Sequence, residues 1–390
     1  MKFNFDEVID RKGTKCLKWD LYPKIFKHDD LLPLWIADMD FRAPDFVIEA
    51  LRKRLEHEVL GYTGYCDCWY KAIEGWLLQR FGWEPGREAL TFIPGIVRGI
   101  AYVIHCFTKE GDRIMMTPPV YNPFFNVTAN TGREVVFSPL EEREGRFYIN
   151  WDDFEQKIQG CKLFILCHPH NPGGRVWSKE ELCRIADICE KAGVVVISDE
   201  IHADLTHAPL QHIPFATTCE AAARISITFM APSKAFNIAG LASSYAVVVN
   251  EALRQKFFEF LMASGFAEGN LFSYEGLIAA YTHGEEWLNA VKHYIVENID
   301  FVDEFLRREI PEIKIMRPEA SFLVFLDCRS LGLTTEELAK LFTDKAHLAL
   351  NTGASFGPGG EGYMRLNVGA PRSIIEKALV QLREAIHPQA

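Results

Sequence analysis

The chain has 390 residues, of which 48% are hydrophobic and 24% charged, with 27 glycines and 19 prolines; that composition suits a large apolar core and excludes a low-complexity protein. A formal charge of -11, with no basic run of five or more, repels phosphate backbones and argues against a nucleic-acid partner. The opening "MKFNFDEVIDRK" lacks the apolar stretch of a signal peptide, and the most apolar segment, 237–250, is too short and serine-rich to cross a membrane. A cytoplasmic protein with no membrane partner is expected.

At roughly 100–200 residues per domain, two domains are expected. In chain order, an N-terminal arm (1–30) comes first. A helix then starts at Asp45, with Val47, Leu51, Leu55 and Val59 stepping by four. From about 90 to 250, short apolar runs alternate with helical patterns. The runs are "RIMM" (113–116), "EVVF" (134–137), "KLFILC" (162–167), "VVVI" (194–197), "ISITFM" (225–230) and "SYAVVV" (244–249). Unbroken apolar runs suit strands buried on both faces, as in a parallel sheet between helix layers. Between them, Ser178 and Glu181 form a capping box, Leu182, Ile185, Ala186 and Cys189 make one apolar face, and Gly193 supplies the stop.

The C-terminal part changes character. Helical patterns at 285–310 and 334–345 flank and precede the probable strands "SFLVFL" (321–326) and "YMRLNV" (363–368). The expected fold is α/β: a large domain (31–284) on a mixed, mostly parallel sheet, and a smaller α+β domain (285–390) joined by the arm. Ten cysteines are scattered, including the C-x-C pair Cys66 and Cys68. They read as free, mostly buried thiols, and no clustered set suits zinc or another metal.

In an open α/β sheet, ligands bind beyond the carboxyl ends of the strands. "RIMM" leads to Tyr121, "LFILC" to Asn171, "VVVI" to Asp199 and His202, and "ISITFM" to Ser233 and Lys234. Singly each is weak, since a lone Asp after a strand is usually a cap and a lone loop Lys is usually solvated. Jointly they place an amide, a carboxylate, an amine and an aromatic ring on one rim. That set is what pyridoxal phosphate needs: an amine to bond its aldehyde, a carboxylate to keep its ring nitrogen protonated, and an aromatic face to stack on the ring. Amide and imidazole groups can hydrogen-bond its 3-oxygen. Its phosphate needs amides at a helix start, which Gly95, Ile96 and Val97 in "FIPGIVRG" supply, with Ser233 adding a hydroxyl. Nucleotide fingerprints are absent.

The segments "LPLWIADMDF" (32–41), "GYTGY" (61–65), "PHNPGGRVW" (169–177), "SDEIHADL" (198–205), "APSKAFNIAGL" (231–241) and "GEGYMRLNVGAPRS" (360–373) follow one another in the order of a known family. The chain resembles the fold-type I pyridoxal phosphate enzymes of the MalY/PatB carbon–sulfur β-lyase type, over nearly its whole length. The resemblance implies that Lys234 bonds the cofactor and Asp199 faces its pyridine nitrogen. It also implies that Asn171 meets the 3-oxygen, Tyr121 stacks on the ring, and Arg365 grips the substrate carboxylate, with Tyr121 and Asn171 beside it. His202 stands where many relatives carry tyrosine. Tyr62 is expected to reach the phosphate of a neighbouring subunit, which makes the active unit a homodimer.

Three departures stand out. His168 replaces the family's usual Asn in "CHPHNP", Ala235 stands where Thr is frequent, and Val368, Gly369 and Ala370 depart near the end. His168 reads as a surface-turn histidine, the alternative being one within reach of the site. The implied reaction is α,β-elimination from L-cystathionine or a related cysteine S-conjugate, giving thiol, pyruvate and ammonia. The rival readings are an aminotransferase on the same residues and, more remotely, a non-catalytic binding or regulatory protein.

Overall fold

The computed structural model describes residues 3–388. Seven strands build the main sheet: β1 (Leu90–Ile93), β2 (Arg113–Met116), β3 (Glu134–Phe137), β4 (Cys161–Cys167), β5 (Val195–Asp199), β6 (Ser226–Met230) and β7 (Ser244–Val247). They lie in the order β1-β7-β6-β5-β4-β2-β3. Neighbours from β3 through β6 pair in parallel. β7 runs antiparallel to both β6 and β1. The sheet is therefore mixed and mostly parallel, as expected.

All six apolar runs form strands, with ends shifted by two residues or fewer. Residues of β6 are buried on both faces, the condition that makes a run continuous rather than alternating. β1 was not expected; it is four residues long, and its "LTFI" merges into the turn that follows. The helix Lys179–Lys191 has the Ser178–Glu181 capping box and buries Leu182, Ile185, Ala186 and Cys189. Gly193, two residues beyond it, takes φ +67°.

The helix from Asp45 stops at Leu55, so Val59 lies beyond it and is 67% exposed. Four-residue stepping outlasts the helix because the chain turns outward at Glu56 and its neighbours. Cys66 and Cys68 also differ from expectation: they form a disulfide, with Cα atoms 5.2 Å apart. The backbone passes from extended at Cys66 to helical at Asp67, which folds Cys68 back toward it. The other eight cysteines are free and at most partly exposed.

A second, antiparallel sheet holds β8 (Lys314–Met316), β9 (Leu323–Asp327), β10 (Asn351–Thr352) and β11 (Tyr363–Asn367), in the order β8-β9-β11-β10. With the helices Glu285–Glu309 and Arg372–Ile386 it makes a smaller α+β unit. The N-terminal segment packs on this unit. Phe5 meets Trp287 edge-on at 5.8 Å, Asp6 accepts from the Tyr294 hydroxyl, and Leu32–Pro33 pairs with Leu348–Ala349. Lys18 is buried and pairs with Asp40 at 2.6 Å, and Asp40 also meets Arg11 at 2.6 Å.

Register decides what the main sheet presents. Cys167 lies opposite Asp199, and Asp199 opposite Phe229, so β4, β5 and β6 end level. The loops that follow them leave from one edge.

Asn298, wholly buried in the helix Glu285–Glu309, donates from Nδ2 to the carbonyls of Val368 and Ala370, both at 2.9 Å, and accepts from Arg372 Nε at 2.6 Å. Asn298→Ala strands those carbonyls in an apolar setting, at a cost of about 3 kcal/mol. A fall in the urea-unfolding midpoint measures this; an unchanged midpoint would show that the carbonyls find other partners.

Candidate active site

The edge formed by β4, β5 and β6 opens on a cavity of ≈ 150 Å³. Its walls include Gly95, Ile96, Val97, Tyr121, Asn171, Asp199, His202, Ser233 and Lys234. Nine of the eleven residues singled out from the sequence thus share one wall. Arg365 reaches the same place from β11, donating from Nη1 to Asn171 Oδ1 at 3.1 Å. Tyr62 is the exception: it is 107% exposed and lines a separate surface groove with Gly61, Thr63 and Asn270.

Asp199 ends β5 and is buried. Its Oδ1 accepts the Ile201 N–H at 3.1 Å. Burial pushes its pKa up to about 7 and the neighbouring Glu200 adds to this, while the Ile201 N–H and Lys234 oppose it. Lys234 sits in the turn after β6, with Nζ donating to the Ala37 carbonyl. Burial, helped by Arg365, lowers its pKa to about 8 against the pull of Asp38 and Asp199. His202 is held neutral, at about 3, by burial and by the cations Lys234 and Arg365. Burial, then Asp199, raises the Tyr121 hydroxyl, which stays protonated.

Arg365 is buried, and burial lowers its pKa to about 10, so it remains a cation at neutral pH. Its Nη2 donates to the Trp35 carbonyl at 2.7 Å and to Asn351 Oδ1 at 2.8 Å, and its guanidinium lies 4.9 Å from the Phe356 ring centre. These partners are neutral, so the guanidinium charge is uncompensated. Among the described residues its Nε has no partner, and neither has His202 Nδ1.

Those two orphaned atoms test the cofactor expectation, because buried polar groups without partners mark where a ligand completes the hydrogen bonding. The helix Ile96–Phe107 supplies the rest. Gly95 precedes it at φ +129°, a conformation L-residues rarely adopt, and a Cβ there would meet nothing within 4 Å. The first amides of the helix have no intrahelical acceptors and carry the positive end of its dipole. An anion site, a buried carboxylate, an amine and a guanidinium on one cavity fit pyridoxal phosphate and an amino acid.

The structure adds residues that sequence reasoning missed. Ala37, Cys167 and Ser244 line the cavity, and Trp35 and Asn351 hold Arg365. Trp35 and Ala37 lie in "LPLWIADMDF", which the resemblance marked without assigning roles; Asn351 carried no signal. His168 is a correction. It is fully buried against His212, with ring centres 4.3 Å apart, and does not line the cavity. The His212 ring packed over it makes this turn internal. A wider groove of ≈ 670 Å³ passes over Arg11, Asp38, Asp40 and Arg42, whose charges are paired by Arg11–Asp38, Arg11–Asp40 and Arg42–Glu7.

Comparison with known proteins agrees with this geometry. Residues 29–382 match the family described as aminotransferase class I and II. The chain is 40% identical to cystathionine beta-lyase PatB of Bacillus subtilis (strain 168), covering 98% of this chain and 100% of the relative. Cystalysin of Treponema denticola, which contains a pyridoxal 5'-phosphate cofactor, superposes with a TM-score of 0.95 at 34% identity over 99% of both chains. The PLP-bound C-S lyase of Staphylococcus hominis superposes with a TM-score of 0.92 at 34% identity, over 99% of this chain and 98% of that one.

A pKa near 8 leaves half of Lys234 as neutral amine at pH 8, against about 0.4% for an ordinary lysine. Treating cofactor-free protein with a small aldehyde and borohydride at pH 8 is expected to label Lys234 about a hundredfold faster than surface lysines. Peptide mapping reads the result; even labelling across all lysines would contradict it.

Proposed function

Because the chain belongs to the aminotransferase class I and II family, we propose that it is a pyridoxal phosphate-dependent carbon–sulfur β-lyase acting on L-cystathionine or related cysteine S-conjugates. The observation that carries this reading is the convergence of Lys234, Asp199, Asn171 and Arg365 on one cavity beside the amides of Gly95, Ile96 and Val97. The similarity to PatB, and to the cofactor-containing structures of cystalysin and the Staphylococcus hominis C-S lyase, supports the same branch.

Bound at this edge, pyridoxal phosphate supplies an electron sink for the pair left when a substrate Cα–H bond breaks. The protein does the remainder. Arg365, a buried cation with an unpartnered Nε, grips the α-carboxylate, and Asn171, already bonded to Arg365, stands beside it. Lys234, with its lowered pKa, takes the α-proton as a neutral amine. Asp199 would hold the protonated ring nitrogen, and that cationic partner would offset the burial that raises its pKa. Tyr121 would pack on the ring, His202 would offer a neutral imidazole to the 3-oxygen, and Ser233 would join the helix amides in holding the phosphate. The balanced reaction is cysteine S-conjugate plus water to thiol, pyruvate and ammonium: the Cβ–S bond breaks, and the sulfur leaves with the bonding pair and gains a proton.

The reading extends to organisation. Residues 1–30 form an arm on the small domain, 31–284 the cofactor-binding domain and 285–390 the small domain. The active unit is a homodimer in the cytoplasm. Leu55, Val59, Leu60 and Tyr62 form an exposed apolar stretch that a second copy covers, with Tyr62 reaching its phosphate site.

Thiolate expulsion needs no second substrate. Holoenzyme given L-cystathionine is expected to yield thiol, pyruvate and ammonia in equal amounts, independently of added keto acid, and Arg365→Ala is expected to lose both rate and substrate affinity. Strict keto-acid dependence without thiol release from several cysteine conjugates would make the protein an aminotransferase instead.

For the dimer, mixing Tyr62→Phe with Lys234→Ala under subunit exchange places both defects in one site and neither in the other. Partial recovery of activity is expected; none, with exchange shown independently, would put Tyr62 outside the neighbour's site.

A further inference from the structure

The strand end that turns Asp199 toward the cavity sends Glu200 into the protein. Glu200 Oε1 accepts from Ser198 Oγ at 2.8 Å and from the Phe215 N–H at 2.9 Å. Its Oε2 lies 2.6 Å from His212 Nε2. The His212 ring packs on His168, whose Nε2 donates to the Ile213 carbonyl at 3.1 Å and whose backbone N–H donates to the Asp199 carbonyl at 2.9 Å. All three side chains are buried, and the Nδ1 atoms of both imidazoles have no partner among the described residues. None of the three lines the cavity, so the chemistry above does not use them.

Two donors at Oε1 commit that oxygen to accepting. The 2.6 Å contact between Oε2 and His212 is then where an extra proton resides. Burial opposes net charge on either group, raising the proton affinity of Glu200 and lowering that of His212. A carboxylate and an imidazole in contact away from water are most stable holding one extra proton between them, with no net charge.

We propose that Glu200 and His212 are a proton-holding positioning pair behind Asp199. By sharing one proton they leave Asp199 the single net negative charge at this strand end, while His168 walls the pair and clamps the Asp199 backbone. The inference rests on the reading that Asp199 faces the cofactor nitrogen. Asp199 is faced by Lys234, Tyr121 and Cys167 on the cavity side and by Glu200 from behind. Arg175 faces His168, and Tyr245 faces Glu200. Lys234 and Tyr121 belong to the cofactor site. The pair is the group whose charge can change behind Asp199 without touching the cofactor. A negative charge there raises the proton affinity of Asp199 and of any base it holds.

The test is a pH titration of the bound cofactor's visible absorbance in holoenzyme, without substrate. Glu200→Gln takes away the carboxylate and the shared proton together, so the net charge behind Asp199 is unchanged and the alkaline midpoint is expected to hold. His212→Gln keeps an N–H donor but cannot take the proton, so Glu200 holds its charge at alkaline pH and the midpoint is expected to move alkaline by about one pH unit. A merely structural role does not produce a shift of that sign confined to one member of the pair. Should Glu200→Gln fail to fold, the sign of the His212→Gln shift carries the test alone. A His212→Gln midpoint that stays put or moves acidic, or a Glu200→Gln midpoint that moves, would overturn the proposal. Asp199→Asn separates the two readings: a titration identical to the parent's would sink the cofactor reading itself, whereas an altered one with an unmoved His212 variant would sink the pair alone.

Discussion

A carboxylate buried at the tip of a parallel strand, with a backbone N–H as its hydrogen-bond partner, is the constraint around which the site is arranged. Asp199 loses its hydration on folding, and the Ile201 amide restores a small part of it. Such a group either takes up a proton or awaits a cation. The nearby amine of Lys234 pulls it toward ionisation, and a pyridinium in the cavity would complete the compensation. The strand end is thus poised for a ligand of one charge type.

Arg365 shows the same logic with the opposite sign. It is buried, bonded to neutral oxygens, and lacks a carboxylate partner. Because β11 carries it, this cation reaches the cavity from the second sheet, while Asp199 and Lys234 come from strand ends of the first. Asn171 touches both sets. Movement of the small unit relative to the main sheet would therefore change the grip on a carboxylate without disturbing Asp199 or Lys234. Burial, helped by Arg365, lowers the hold of Lys234 on its proton and brings its pKa to about 8.

Behind the edge, chemistry and stability share residues. The Glu200 carboxylate ties the loop at 212–215 to β5, and His168 ties β4 to the Asp199 carbonyl. A single strand terminus therefore faces a wet cavity with one residue and a dry, proton-sharing contact with the next. The side-chain alternation of extended chain makes that division possible.

Much was legible in the residues alone. The unbroken apolar runs identified six of the seven main strands, because burial on both faces removes polar alternation; β1 escaped because Thr91 interrupts its apolar run. Lys234, Asp199, Asn171 and Tyr121 could be singled out because each lies at or soon after the end of such a run, and the fold brings all four to one cavity. Other features had no local signal. Asn351 and the carbonyl of Trp35 hold Arg365 across segments far apart in sequence. Val59 kept the spacing of a helix that had already ended, and Cys66 and Cys68 met because of a bend at Asp67. His168 looked like a turn residue until the packing of His212 enclosed it. Periodicity, strand punctuation and chemical type are written along the chain, so sequence determined the fold class, the cofactor chemistry and most of the residues that share the cavity. Burial depth, proton sharing and the partners of Arg365 depend on contacts between segments that only the folded chain brings together, and tertiary structure alone decided them.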